Sequence, residues 1–224
     1  MSSSVPVARP AVGAATRPDP VDGRAWGVGT WRRIPAVIAP LLATVLGGAM
    51  AVQWELGGGR AAGSLPQPAR WMAENLPLVD GDEPVWMWRG PFFVTVVLAL
   101  PLVWAVTGHA ASALPRHLTR VGLLAAAVAI GLEYNSPGWG WVFDLVALLA
   151  ALVGTVWCGV QAIRRDTLPR RVAWSLVAAL PLTPVGGVLT YGYLPPALTV
   201  GTLLAWAVAA LVSGGDGAAP AERG

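Results

Sequence analysis

Long apolar stretches, separated by short polar or arginine-containing segments, run along most of the chain. A helix needs about 20 apolar residues to cross a bilayer core that is about 30 Å thick. None of the stretches shows the strict alternation of polar and apolar residues that marks a half-buried strand. The pattern therefore predicts an all-α, polytopic membrane bundle of six transmembrane helices, at residues 34–54, 91–113, 118–134, 141–163, 172–190 and 194–212.

The segments outside these helices predict the rest of the organisation. Residues 1–33 and 214–224 are rich in Ser, Pro, Gly and Ala and have no periodicity, which is typical of disordered tails. Between them lies a transmembrane domain at 34–213, with one long loop at 56–89. The centre of that loop, 68–79, alternates polar and apolar residues and predicts a short amphipathic helix lying on the membrane.

Arginine placement predicts how the bundle is oriented. All 15 basic residues are arginines, and 12 of them lie in the two tails or in the loops that share their side of the membrane. The other three, Arg60, Arg70 and Arg89, all lie in the loop at 56–89. Because cytoplasmic loops carry an excess of basic residues, we expect both termini in the cytoplasm and the long loop outside.

An alternative interpretation of the first apolar segment stays open. Arg32 and Arg33 precede an apolar stretch that ends in Ala49-Met50-Ala51, a pattern similar to a signal peptide with its cleavage site. Cleavage there would leave five membrane helices, and the remaining helices would keep their orientation.

Composition supports the membrane class and narrows the chemistry. Hydrophobic residues make up 55% of the chain and charged residues only 12%, which excludes both a disordered chain and a soluble globular domain. The net charge of +3 forms no basic stripe long enough to follow a nucleic acid. Arginine without lysine, in a chain rich in Ala, Gly and Pro, is typical of a GC-rich bacterial genome. We therefore expect a multi-pass protein of the bacterial inner membrane, with the lipid bilayer as its surroundings.

No motif for catalysis, cofactors or metals is present in the sequence. Cys158 is the single cysteine, so it cannot form an internal disulfide or a cysteine-based zinc site. His109 and His117 have no neighbouring carboxylate or cysteine with which to bind a metal. We predict no cofactor and no metal, and the sequence gives no protein partner.

Three carboxylates in the predicted helices are the main candidates for chemistry: Glu55, Glu133 and Asp144. Each lies at the outer face and at one end of a stripe of small residues, a pattern that lets membrane helices pack closely. Ionisable groups in such places are costly and often functional. Because seven residues join Glu133 to Asp144, we predict that the two carboxyls share a pocket, in which they hold either a proton or a cation.

Aromatic side chains gather on the same side and predict a binding surface. Many of them belong to an interfacial belt, and the candidates for substrate binding are Tyr134, Trp139, Trp141 and Tyr191. Thr183 is a further candidate, because Pro181, Pro184, Gly186 and Gly187 interrupt its helix. Carbonyl groups freed by proline can bind ions or substrates inside a bundle.

Three functions remain open from the sequence. The first is binding or transport of a cation or a small polar or cationic molecule at an outward-facing vestibule of carboxylates and aromatics. The second is an intramembrane enzyme, similar to a cyclase, that uses acid–base carboxylates on an isoprenoid or lipid substrate. The third is a non-catalytic accessory subunit without a ligand of its own.

Overall fold

The structure is a computed structural model that describes residues 28–76, 86–109, 112–133 and 139–213. For residues 86–91, 131–133 and 139 it describes the backbone only. The predicted tails fall outside the described residues, except for 28–33 of the first tail. Across the described ranges the chain forms helices and turns and no strand. The expected all-α class is confirmed to that extent.

Eight α-helices follow one another along the described chain, with a short 3-10 helix, Ala62–Ser64, after the first. Their bounds are α1 Thr30–Gly57, α2 Ala69–Asn75, α3 Trp86–Thr107, α4 Ala113–Glu133, α5 Trp139–Arg165, α6 Arg170–Val177, α7 Ala179–Leu189 and α8 Leu194–Val212.

Four of these helices are long and apolar enough to cross a membrane: α1, α4, α5 and α8. The pair α6 and α7 meets the same criteria only when taken together, and its two members are bent by 50°. The part of α3 with described side chains, Phe92–Thr107, is apolar but shorter. The structure therefore supports four or five spans directly, against the six that the sequence predicts.

The bend between α6 and α7 has a local cause. Pro181 has no N–H to donate to the carbonyl of Val177, and its ring crowds that carbonyl, so the helix breaks at Ala178. The predicted interruption is therefore present. It is confined to this point, because Pro184, Gly186 and Gly187 all lie within the continuous helix α7.

The long helices alternate in direction, which gives the bundle two chemically distinct ends. At one end, Arg33 of α1 donates a hydrogen bond to the carbonyl of Ser213 after α8 (3.3 Å), and Arg120 of α4 donates to the carbonyl of Trp104 on α3 (2.8 Å). At the other end, Trp54 of α1 stacks on Tyr193 before α8. We call these the arginine end and the outer end. Residues 28 and 213 both lie at the arginine end.

Helix α8 lies at the centre of the bundle. It packs against α1, α3, α5, α6 and α7. In its most apolar stretch of 18 residues, 78% is buried inside the protein. The other helices surround it in chain order, with α1 against α3, α3 against α4, α4 against α5 and α5 against α6. Trp206 of α8 is fully buried and belongs to the main apolar core.

Small residues bring α4 and α5 together, as their stripes predict. A Cβ atom on Gly122 would lie 2.5 Å from the nitrogen of Ala151, and one on Gly154 would lie 2.5 Å from the nitrogen of Thr119. The stripe residues of both helices are buried wherever their side chains are described; they are Gly122, Ala126 and Ala129 on α4, and Asp144, Ala147, Ala151, Thr155 and Cys158 on α5.

Part of the predicted outer loop is folded onto the bundle. α2 covers residues 69–75 of the stretch expected to be helical, and residues 77–85 lie outside the described ranges. Leu65 and Ala69 pack with Val52 of α1, and Met72 and Tyr191 pack against this cluster. The loop therefore forms one wall of a cleft at the outer end.

Candidate functional site

A cleft of about 210 Å³ opens at the outer end, between α1, the segment that leads to α2, and the turn before α8. Most of its wall is apolar. The polar groups that line it are the carboxylate of Glu55, the guanidinium of Arg60 and the phenol of Tyr191. The remaining lining residues are Val52, Leu65, Pro66 and Ala69.

Glu55 forms an ion pair with Arg60 at the edge of this cleft. The distance from Arg60 Nη1 to Glu55 Oε2 is 2.9 Å, and the two side chains are 51% and 37% exposed, respectively. The turn that closes α1 allows the pairing: Gly59 has a φ of +85°, and the N–H of Arg60 donates to the carbonyl of Glu55. An exposed pair of this kind contributes only about 0–1 kcal/mol, so a competing cation can displace it at small cost.

A second ion pair on α2 provides a comparison. Arg70 Nε lies 2.8 Å from Glu74 Oε1, and both side chains are about half exposed. The hydrogen bond and the charge of Glu74 raise the pKa of Arg70. This pair has nearly the same geometry as Glu55–Arg60, but it does not line the cleft.

Tyr191 is held in an unusual backbone conformation beside the cleft. Its φ is +51°, and Gly192 follows with a φ of +81°. Non-glycine residues rarely adopt this region. Thr190 supports the turn, because its hydroxyl donates to the carbonyl of Gly186 (2.9 Å). Burial raises the pKa of the Tyr191 phenol above its usual value of 10.0, so the neutral form is favoured.

Further aromatic groups lie at the outer end, outside the lining of the cleft. The rings of Trp54 and Tyr193 are stacked, with centroids 5.9 Å apart and an angle of 20° between their planes. Trp54 is 65% exposed, and Trp71 on α2 is 54% exposed. Indole and phenol rings at this level suit both a membrane interface and a cationic ligand.

Asp144 lies in a different place from Glu55. It is buried, with 3% of its surface exposed, on the first turns of α5. α5 packs mainly against α4, α6 and α8, whereas Glu55 belongs to α1, which packs against α3 and α8. The helices described here give no support for bringing Glu55 and Asp144 into one site.

The pairing of Glu133 with Asp144 stays a prediction, because the side chain of Glu133 is outside the described atoms. The backbone gives one relevant fact. The contacts of Gly122 and Gly154 set the register of α4 against α5, and they place Glu133 about five residues beyond the level of Asp144. That offset corresponds to about 7 Å along the helix axis.

The remaining predicted residues fall in separate places. Trp141 is 38% exposed near the start of α5. Tyr134 and the side chain of Trp139 lie outside the described part of the structure. The hydroxyl of Thr183 donates to the carbonyl of Ala179 on its own helix (3.1 Å). Of the predicted set, Glu55 and Tyr191 are the two that line one cleft.

The structure also draws attention to two buried hydroxyls. Thr155 of α5 and Thr202 of α8 are fully buried, and in the described ranges their Oγ1 atoms have no hydrogen-bond partner. Each lies at helical spacing from residues of one apolar cluster that joins the two helices, Leu148 and Leu152 on α5 and Leu198 and Ala205 on α8. The sequence alone does not predict that these two hydroxyls are buried beside one cluster. The side of α8 that packs against α5 is determined by the central position of α8 in the bundle.

In the described ranges, no group of three or more His, Cys, Asp or Glu side chains is placed to hold a metal ion. Comparison of the chain with protein-family models, with curated proteins and with solved structures gives no match.

Proposed function

We propose that the chain is a multi-pass protein of the cell membrane with six spans and both ends in the cytoplasm. The alternating direction of the long helices supports this proposal. Because α1 and α4 begin at the same end, α3 between them runs from one end of the bundle to the other, and the α6–α7 pair does the same between α5 and α8. The arginine end carries Arg33, Arg116, Arg120, Arg164 and Arg171, among others. An excess of arginine on one side is the signature of the cytoplasmic face.

We infer that the protein binds a small organic cation in the outer cleft. The observation that carries this proposal is the position of Glu55, an acidic residue that lines a mostly apolar cleft together with Arg60 and Tyr191. A carboxylate supplies the charge, and aromatic faces attract organic cations through their quadrupole. The volume of about 210 Å³ suits a molecule of only a few carbon atoms and one charged group.

Arg60 supports the same proposal. Its guanidinium lies 2.9 Å from Glu55, so the carboxylate is already paired with a cation at the cleft. Because the pair is exposed, the free energy needed to displace Arg60 is small. A ligand that replaces Arg60 would also bury its apolar part against Val52 and Leu65.

The test uses choline as the probe and the purified full-length chain in detergent. Saturable quenching or shift of tryptophan fluorescence, with Trp54 and Trp71 as nearby reporters, measures binding. Glu55→Gln should abolish the saturable signal, because it removes the charge from the cleft. Glu74→Gln is the matched control, since it breaks an ion pair of similar geometry outside the cleft and should leave binding unchanged.

Two results would overturn the proposal. One is the absence of saturation by choline and by other small ammonium compounds of similar size. The other is an equal loss of binding in Glu55→Gln and Glu74→Gln, which would indicate a general effect of loop charge. If choline binds as proposed, its accumulation in proteoliposomes, followed with radiolabelled choline, would distinguish transport from binding alone.

A second candidate function, an intramembrane acid–base enzyme acting on an isoprenoid or lipid, is favoured by the burial of Asp144. Asp144 is 3% exposed on a helix that packs against α4 and α8. Buried carboxyls in apolar surroundings are suited to proton transfer. Lipid extracts of cells that express the wild type or Asp144→Asn would test this function. The enzyme function requires a lipid product that appears in cells with the wild type and is missing in cells with Asp144→Asn.

A further inference from the structure

A second cleft lies at the arginine end, on the outside of the bundle between α1 and α3. Its volume is about 280 Å³, and it is lined by Trp31, Arg32, Pro101, Trp104 and Ala105. The indole of Trp31 is 64% exposed and that of Trp104 is 41% exposed, so the cleft opens to the surroundings of the protein. It is at the opposite end from the cleft that contains Glu55.

Arg32 lines this cleft, and Arg120 lies over the indole of Trp104, which is another lining residue. The guanidinium carbon of Arg32 lies 4.6 Å from the ring centroid of Trp31, and that of Arg120 lies 4.9 Å from the ring centroid of Trp104. Arg120 is held further by hydrogen bonds that it donates to Thr107 Oγ1 and to the carbonyl of Trp104, both at 2.8 Å. Hydrogen bonds therefore hold Arg120 beside Trp104, whereas Arg32 is positioned by its contact with the neighbouring indole of Trp31.

Within the described residues, no carboxylate forms an ion pair with either of these two arginines. The ion pairs of the described residues, Glu55–Arg60 and Glu74–Arg70, both lie at the outer end, and neither Arg32 nor Arg120 pairs with a described carboxylate. A pair of guanidinium groups beside an open cleft is a favourable place for an anion. Arginine binds phosphate oxygens in particular, because its planar fork can donate two parallel hydrogen bonds.

The surface that leads away from the cleft is apolar. Toward the outer end, α1 and α3 expose Ile34, Ile38, Leu41, Phe93, Val94 and Val97. In a membrane these side chains face acyl chains, whereas the two indoles lie at the level of the headgroups. The ligand that matches both parts has an anionic phosphate at one end and apolar chains at the other.

We propose that this cleft binds the headgroup of an anionic phospholipid, with its acyl chains lying along α1 and α3. A soluble phosphate compound would match the arginines but would leave the indoles and the apolar stripe without a role. The inference requires the chain to lie in a membrane, but it is independent of the ligand proposed for the outer cleft.

Native mass spectrometry of the full-length chain tests the proposal. The protein is released from micelles that contain phosphatidylglycerol and phosphatidylcholine in equal amounts, and the ratio of the two singly bound species is measured. We expect the wild type to prefer phosphatidylglycerol and Arg32→Gln to lower that preference by about fivefold, the effect of one arginine at an anionic surface. Arg32→Lys should retain most of the preference.

Two further variants keep the test specific. Arg171→Gln removes an exposed arginine from the start of α6, at the same end but outside the cleft, and should leave the ratio unchanged. Ala105→Leu fills the cleft without changing any charge and should lower the preference as Arg32→Gln does. Thermal unfolding in detergent identifies any variant that fails to fold. Only the lipid ratios of the folded variants are then compared with that of the wild type.

Three outcomes would overturn the proposal. Equal losses in Arg32→Gln and Arg171→Gln would mean that the whole arginine end attracts anionic lipid without a site. An unchanged ratio in both Arg32→Gln and Ala105→Leu would exclude this cleft. Displacement of bound phosphatidylglycerol by glycerol phosphate would indicate a soluble phosphate ligand in place of a lipid.

Discussion

At the scale of single residues, the outer cleft depends on two turns. The geometry of these turns cannot be predicted from the amino-acid composition. Glu55 is predicted as a candidate for chemistry at the outer face, and its described partner is Arg60, five residues later. That contact requires the reversal at Gly59, where φ is +85°. Tyr191 reaches the same cleft from the turn before α8, more than 130 positions along the chain. The outer-face position of both residues could be predicted, but their meeting in one cleft depends on how the helices pack.

The phenol of Tyr191 should make stability depend on pH in the alkaline range. Burial raises its pKa above 10.0, so the stabilisation from the neutral phenol is complete below about pH 10 and is lost as the pH rises through the higher pKa of the folded state. We therefore expect Tyr191→Phe to reduce the alkaline loss of stability and to change little at neutral pH. Unfolding midpoints of both proteins across the alkaline range provide the measurement. An identical alkaline loss in both would show that the phenol does not contribute.

At the scale of elements, close helix contacts are made where glycine removes a side chain. Gly122 and Gly154 join α4 to α5, and Gly186 joins α7 to α8. Hydrogen bonds between backbone groups lie within helices, so contacts between helices rely on packing and on how closely the backbones approach. Glycine is frequent throughout the chain, with 27 residues, and the structure distinguishes the glycines that form such contacts from those that do not.

Two adjacent glycines on α7 provide a matched test of this packing. A Cβ atom on Gly186 would overlap the carbonyl oxygen of Ala197 and lie 3.0 Å from the nitrogen of Gly201. One on Gly187 would lie 3.9 Å from the Cβ of Ala197, which is an ordinary van der Waals distance. Gly186→Ala should therefore destabilise the protein by about 1–3 kcal/mol, the usual effect of overpacking. Gly187→Ala should be neutral or stabilising by up to about 1 kcal/mol, because alanine favours a helix.

Thermal unfolding of the two variants in the same detergent gives the comparison. A difference of 1 kcal/mol corresponds to about 2–4 °C for a chain of this size. Equal midpoints for Gly186→Ala and Gly187→Ala would contradict the close contact between α7 and α8.

Helix positions were largely predictable from sequence, and their ends were less so. The first apolar segment, 34–54, was predicted well, but α1 continues from Thr30 to Gly57, because polar residues at an interface can extend a helix without altering its apolar core. The third predicted helix begins five residues earlier than expected, at Ala113, since Pro115 is tolerated in a first turn. The bend at Ala178 could be anticipated from the prolines, but its angle depends on the packing against α8.

At the scale of the whole molecule, the distribution of charged residues distinguishes the same two ends of the bundle as the direction of the helices does. Arginines without described carboxylate partners, such as Arg32 and Arg120, lie at the end that holds residues 28 and 213, and the described ion pairs lie at the opposite end. Hydropathy and arginine counts predict this asymmetry, because both follow from partitioning between water and lipid. The central place of α8 could not be predicted, since all the long helices are similarly apolar and sequence does not rank their burial.

If α3 crosses the membrane, the bent pair of α6 and α7 decides between five and six spans. It covers residues 170–189, which is about 30 Å measured along the helices, and the 50° bend makes the end-to-end distance shorter. Its first turns lie at the arginine end, where Gly159 of α5 packs against the carbonyl of Ala173, and Thr190 after its last turn contacts Gly47 toward the outer end. We therefore expect Arg170 and Leu194 to lie on opposite sides of the membrane.

Labelling of single cysteines in intact cells tests this expectation in the full-length chain. In a Cys158→Ser background, Leu194→Cys should react with a membrane-impermeant maleimide from outside, as should the outer-loop reference Ser64→Cys. Arg170→Cys should react only after the membrane is permeabilised, because the proposed six-span arrangement places it at the cytoplasmic face. A re-entrant pair would instead place positions 170 and 194 on the same side, and equal labelling of both before permeabilisation, or of both only after it, would exclude the six-span arrangement. The result also bears on the outer cleft, since Tyr191 can line an outward-facing site only if α6 and α7 together cross the membrane.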